Sequence, residues 1–216
     1  MSHDSELRTA VQQELSWEPS IVSAHIGVTA DAGVVTLTGH VGNFAQKHAA
    51  EDAAKRVKGV KAVAEEIEVR LLPESNRTDD QIAAAILDRL AWNVTFPRDA
   101  AKVTVENGWV TLTGEVDWHF QKEAAGQDVR RLFGVVGVSN QLTVKARVDT
   151  SSISSNIRSS LNRSWFYGPE AVTVTADGGR VNLRGHVHTI HERDSAAHTA
   201  WAASGVTTVE NDIIVA

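Results

Sequence analysis

The sequence predicts an α+β fold of three tandem α-β-β-α-β units, and three observations predict it. A strand pattern is written three times, as Gly33-Val34-Val35-Thr36-Leu37-Thr38-Gly39, Gly108-Trp109-Val110-Thr111-Leu112-Thr113-Gly114 and Gly179-Arg180-Val181-Asn182-Leu183-Arg184-Gly185. A later pair, Gly59-Val60, Gly134-Val135 and Gly205-Val206, keeps one fixed offset from those strands, so nothing is inserted between them. Each copy also opens with apolar residues four apart, which is one face of a helix: Leu7, Val11, Leu15; Ile82, Ile86, Leu90; Ile153, Ile157, Leu161.

Taken in order, the first helices are expected to begin near Asp4, Asp79 and Ser151, whose side-chain oxygens suit N-caps. Loops follow that carry Trp17-Glu18-Pro19, Trp92 to Pro97 and Trp165 to Pro169. Period-two alternation then gives a first strand through Val28 and Ala30, Val103 and Val105, Val172 and Val174. Asp31-Ala32-Gly33, Glu106-Asn107-Gly108 and Asp177-Gly178-Gly179 tolerate positive φ and turn the chain into a hairpin. The second strand faces Val35, Leu37 and Val41 inward, with Val110, Leu112, Val116 and Val181, Leu183, Val187 as counterparts. Gly39, Gly114 and Gly185 fall in that row and predict close backbone or helix approach.

An alanine-rich second helix runs through Ala49 to Val57, Ala124 to Leu132 and Ala196 to Trp201, with Gly59, Gly134 and Gly205 as left-handed C-caps. The last strand carries Val63, Ile67, Val69 and their counterparts, interrupted by Glu65, Asn140 and Asn211 as a bulge or a hydrogen-bonded rim. Each unit becomes a three-stranded sheet with two helices on one face, leaving Thr36, Thr38, His40, Glu66 and Glu68 on a polar face. The units span 1-72, 77-147 and 150-216, with linkers at Leu72 to Thr78 and Arg147 to Ser155.

Composition narrows function. The 216 residues contain no cysteine, which removes disulfides, thiolate nucleophiles and cysteine-based metal sites. Net charge is −6 and no unit is basic, which argues against nucleic-acid binding. No run approaches the ~18 apolar residues of a membrane span, and Met1 to Arg8 has no signal-peptide character, so a cytoplasmic protein is expected.

The leading helix, the G-x-V-x-L-x-G strand, the alanine-rich helix and the Gly-Val before the last strand together resemble the BON domain, named for bacterial osmotically induced and nodulation-associated proteins. All three units fit. The resemblance implies a noncatalytic, transport-associated module that binds phospholipid membranes, often in osmotic stress, with potassium bound by some members.

Candidate sites follow. Lys55, Arg56, Lys58 and Lys61, with Arg130 and Arg131, form the best basic grouping for an anionic lipid surface; the competing reading is a solvated helix end with cations near its C-terminus. Trp17, Trp92 and Trp165, with Phe96, Phe166 and Tyr167, are expected first to plug the open end of each core, and otherwise to meet lipid or a partner. Trp109 and Trp118 are expected to contact a neighbouring unit or a partner. His186 and His188 share a strand face with His191 close behind, a metal-like spacing weighed against plain solvent-facing histidines. Arg180, Arg184 and His186 make the third unit the most divergent on its outward face.

No nucleophile elbow, phosphate loop or dinucleotide fingerprint occurs, and His191, Asp194 and Ser195 lie close only in sequence, so no enzyme and no cofactor is expected. The functional expectation is a noncatalytic protein that associates reversibly with phospholipid surfaces in osmotic or envelope stress. The alternatives are a small-ligand or potassium sensor and a protein-interaction or chaperone-like scaffold.

Overall fold

A computed structural model describes residues 3–146, 152–163 and 172–215. The first unit runs α1 (His3–Trp17), β1 (Ile26–Asp31), β2 (Val34–Val41), α2 (Phe44–Arg56) and β3 (Ala62–Val69). The second repeats this as α3 (Asp79–Trp92), β4 (Ala101–Glu106), β5 (Trp109–Val116), α4 (His119–Arg130) and β6 (Gly137–Val144). The third follows with α5 (Ile153–Asn162), β7 (Val172–Asp177), β8 (Arg180–Val187), α6 (Ile190–Trp201) and β9 (Thr208–Val215). The α+β reading from sequence therefore stands.

In every sheet the second strand is central, antiparallel to the first and parallel to the third. A hairpin needs only a tight turn, whereas the parallel neighbour needs a crossover, which the second helix supplies. The inward rows fall as the alternation predicts. Val35, Leu37, Val110, Leu112, Val181 and Leu183 are fully buried beneath the first-helix stripes at Leu7, Val11, Leu15 and their counterparts. Each such side chain taken out of water contributes roughly 1.5–3 kcal/mol.

The row glycines admit backbone, not a helix. At Gly39 (φ +111°) a Cβ would lie 2.0 Å from the His25 carbonyl oxygen, and at Gly114 (φ +136°) 2.0 Å from that of Ala100. Glu65, Asn140 and Asn211 are hydrogen-bonded rim positions with no bulge, since the register runs through them unbroken. Asn140 donates to the Lys122 carbonyl at 2.7 Å and Asn211 to that of Arg193 at 2.9 Å, each pinning the second helix to the third strand. Glu65 does the same through the Lys47 ammonium at 2.9 Å.

Several local expectations are corrected. Thr78, not Asp79, caps α3, with the Gln81 Oε1 accepting from the Thr78 N–H at 3.3 Å. Asp79 instead accepts the N–H groups of Asn107 and Gly108, both at 2.8 Å, tying α3 to the β4–β5 turn. Asp4 lies inside α1, and Ser151 falls outside the described residues while Ser152 precedes α5. Gly59 and Gly205 are not helix caps. The helices already stop at Val57 and Ala202, and each glycine takes positive φ inside the following tight turn, closed by Val60 N–H to Val57 and Val206 N–H to Ala203; Gly134 occupies the same place after α4. The linkers are also less open than expected, because Pro73–Ser75 forms a 3-10 turn and Ile153 already starts α5.

The units pack through the first residue of each second helix. Phe44 lies against the core of the second unit and Ile190 is buried in the core of the first. His119 stacks on Trp201 of the third unit with ring centroids 4.1 Å apart and planes 9° from parallel. The order is one to two, two to three, three to one, so the three junctions close a ring.

Candidate functional site

The basic grouping does not form one patch. Lys55 pairs with Glu51 at 2.8 Å, and Arg56 reaches Glu14 at 3.0 Å and Glu18 at 3.2 Å. Arg130 lies 3.1 Å from the His48 ring nitrogen of the first unit, and it and Lys55 line a polar chamber where the three second helices meet. Lys58, Lys61 and Arg131 are exposed at the surface. Glu51 beside His48 and Lys55 is held well below the usual carboxylate range, to about 2, so these ionic contacts persist across the physiological range.

The aromatic expectations divide. Phe96 does plug the core of the second unit. Trp17 and Trp92 do not, being 84% and 85% exposed. The reason is that α1 and α3 continue through them, and a helix residue two positions after buried Leu15 or Leu90 points to the opposite side. Trp165, Phe166 and Tyr167 fall outside the described residues. Trp109 lies across Gly137, its β6 partner, where a Cβ would collide with the indole at 2.2 Å, so part of it packs on its own sheet while 52% stays exposed. Trp118 does reach an inter-unit cleft.

His186, His188 and His191 do not converge. The strand ends at Val187 and Thr189 caps α6, so the alternation that would align the first two is lost at the bend, and His191 rides on the helix. Among the described residues no group of three histidines or carboxylates is placed to hold a metal ion. Arg180 and Arg184 face carboxylates of β9, Glu210 at 3.4 Å and Asp212 at 3.5 Å, which accounts for the divergent outward face as a surface ion-pair ladder.

What the sequence reading missed is the pair of clefts formed by ring closure. Between the first and second units a cleft of about 490 Å³ is walled by Asn43, Ala45, His48 and Asp52 on one side and Arg130 and Arg131 on the other. At the matching place between the second and third units a cleft of about 460 Å³ is walled by Trp118, Phe120 and Glu123 against His198, Trp201 and Ala202. The signal was present, in that outward positions of α2, α4 and α6 change type between copies while the buried alanine stripe holds. It has no meaning until the helices are known to face one another.

The fold and its surfaces define a class, a tandem array of α-β-β-α-β modules with inter-module clefts. The BON domain family model matches residues 3–70, 78–146 and 149–216, and the chain belongs to that family. It is 32% identical over 146 residues to osmotically-inducible protein Y of Escherichia coli (strain K12), covering 66% of this chain and 73% of that protein. Two solved structures of CdsD, a structural protein of the type III secretion system of Chlamydia trachomatis, align at 16% identity. One covers 98% of this chain and 92% of its own with a TM-score of 0.27; the other, the C-terminal domain, covers 98% of each with a TM-score of 0.28. At those scores neither bears on the function of this chain. No helix among the described residues is long and apolar enough to cross a membrane.

Proposed function

We propose that the protein is a noncatalytic binding protein that associates reversibly with phospholipid surfaces during osmotic or envelope stress, in the cytoplasm. The observation that carries the reading is the pair Trp17 and Trp92, which end equivalent helices in two units and stand 84% and 85% exposed. Indole rings favour the headgroup region, where one edge is wet and the body is apolar. Val94, 99% exposed two residues beyond Trp92, extends that apolar surface. Lys58, Lys61 and Arg131 add exposed positive charge, worth about 1 kcal/mol each near an anionic bilayer. The osmotic-stress part rests on the similarity to osmotically-inducible protein Y.

Vesicle flotation with phosphatidylglycerol and phosphatidylcholine tests it. The parent chain is expected to float with anionic vesicles, Trp17→Ser/Trp92→Ser to lose most of that binding, and Lys58→Ser/Lys61→Ser to lose it only at low salt. A parent chain that stays at the bottom of every gradient overturns the reading. Potassium-dependent thermal shift and lysate pull-down then test the ion-sensor and scaffold alternatives, and cell fractionation reports the compartment.

A further inference from the structure

The cleft between the second and third units is built from aromatic faces around one carboxylate. Trp118 and Phe120 stand with centroids 6.5 Å apart and planes tilted by 31°. Trp201 forms the opposing wall, with the His119 ring stacked on one of its faces. Glu123 supplies the charge, with His119, Gln127 and His198 completing the polar lining. The nearest imidazole, His119 at 3.8 Å from Glu123, carries no compensating charge near neutrality, because burial pushes its pKa down to about 4.

Such a lining selects its ligand by hydration. Aromatic faces attract cations through the ring quadrupole, and the gain is largest for a cation that gives up little hydration. A metal ion or a primary ammonium would surrender tightly held water to three rings that cannot replace it. A cation clothed in methyl groups loses little and buries apolar surface as well. The cleft volume falls within the ~300–1,000 Å³ of ordinary small-molecule sites.

We infer that the cleft walled by Trp118, Phe120 and Trp201 around Glu123 binds a small quaternary ammonium cation, either as a free solute or as the choline headgroup of a lipid. The matching cleft between the first and second units is an internal control. There Asn43, Ala45 and Arg130 stand where Trp118, Phe120 and Trp201 stand here, His48 replaces Glu123 and Arg131 replaces Ala202, so the three rings are gone and two guanidinium groups outnumber the one carboxylate, Asp52.

The test titrates the full chain with tetramethylammonium chloride and choline chloride, read by saturation transfer to the methyl protons, beside 3,3-dimethylbutan-1-ol, the uncharged isostere of choline. Saturable binding of both salts is expected, with the alcohol at least about tenfold weaker, equivalent to ~1.4 kcal/mol. Phe120→Ala and Glu123→Gln should each weaken binding by about five- to tenfold, and Ser20→Ala in the matching cleft should leave it unchanged. Phe120 is 54% exposed, so its removal spares the fold, and an unaltered unfolding midpoint verifies that. Absence of saturable binding, equal binding of the alcohol, or parent-like binding by both cleft variants overturns the inference. Capture by phosphatidylcholine vesicles that choline displaces assigns the headgroup, and choline binding without capture assigns the solute. The inference does not rest on the lipid reading, since a chain that ignores every vesicle can still bind choline.

Discussion

At the junction of the first and second units the cleft wall carries Asn43, Ala45, His48 and Arg130; at the junction of the second and third the same places hold Trp118, Phe120, Glu123 and Trp201. The helices that bear them bury the same stripe, Ala50 and Ala54 in α2, Ala125 and Val129 in α4, Ala196 and Ala200 in α6. Packing on the sheet constrains that stripe, because a larger side chain would lift the helix. The other face is constrained only by its neighbour across the ring. Repetition thus fixes where a cleft lies and leaves its chemistry open, which is how one chain holds an arginine-walled and an aromatic-walled cleft side by side.

The largest test of this comparison removes a wall common to both clefts. Gly114→Ala puts a Cβ 2.0 Å from the Ala100 carbonyl at a φ that L side chains rarely adopt, and should destabilise the second unit by about 3 kcal/mol or more in urea unfolding. Both clefts then fail together, whereas Gly39→Ala strikes the first unit and spares the aromatic cleft.

Acid should separate the two junctions. His119 is held below its ordinary value of 6.5, at about 4, first by burial and then by Lys122 and His198, against the opposing pull of Glu123. A depressed folded value means the unfolded or undocked state takes up the proton first. The stacking on Trp201 is therefore fully present above about pH 6.5 and is lost as pH falls toward 4, at a cost of about 1–3 kcal/mol. Hydrogen exchange along α4 and α6 should report the opening, and His119→Phe, which places there the residue that α2 uses, should abolish the pH dependence. A transition that persists in His119→Phe would assign it elsewhere.

The smallest effect sharpens the comparison by lying outside it. Arg184→Gln breaks an exposed pair with Asp212 and should change stability by less than about 0.5 kcal/mol, with choline binding unaltered. A larger change would mean that the sheet face of the third unit communicates with the cleft.

The fold was legible because its determinants are local and written three times. Alternation, helical spacing and strand glycines each act within one unit, and agreement among copies removes chance matches. The clefts were not legible, because Phe44, His119 and Ile190, which make the junctions, share a place but no chemistry. Trp17 and Trp92 were misread as plugs for a simpler reason: the proline and loop residues that follow suggested that the helix had stopped, and two further helical residues carry an indole to the opposite side. His186, His188 and His191 failed the other way, since a strand assumed to continue past Val187 bends there.

Ring closure also sets a stoichiometry. Each unit offers one plug, at the start of its second helix, and one socket for the plug of another, and in three copies every plug is matched to a socket within the same chain. A chain cut back to the first two copies would keep the His119 plug and the socket of Ile190 unmatched, and so would expose both surfaces. The number of copies in the array is therefore what lets the ring of junctions close within one chain.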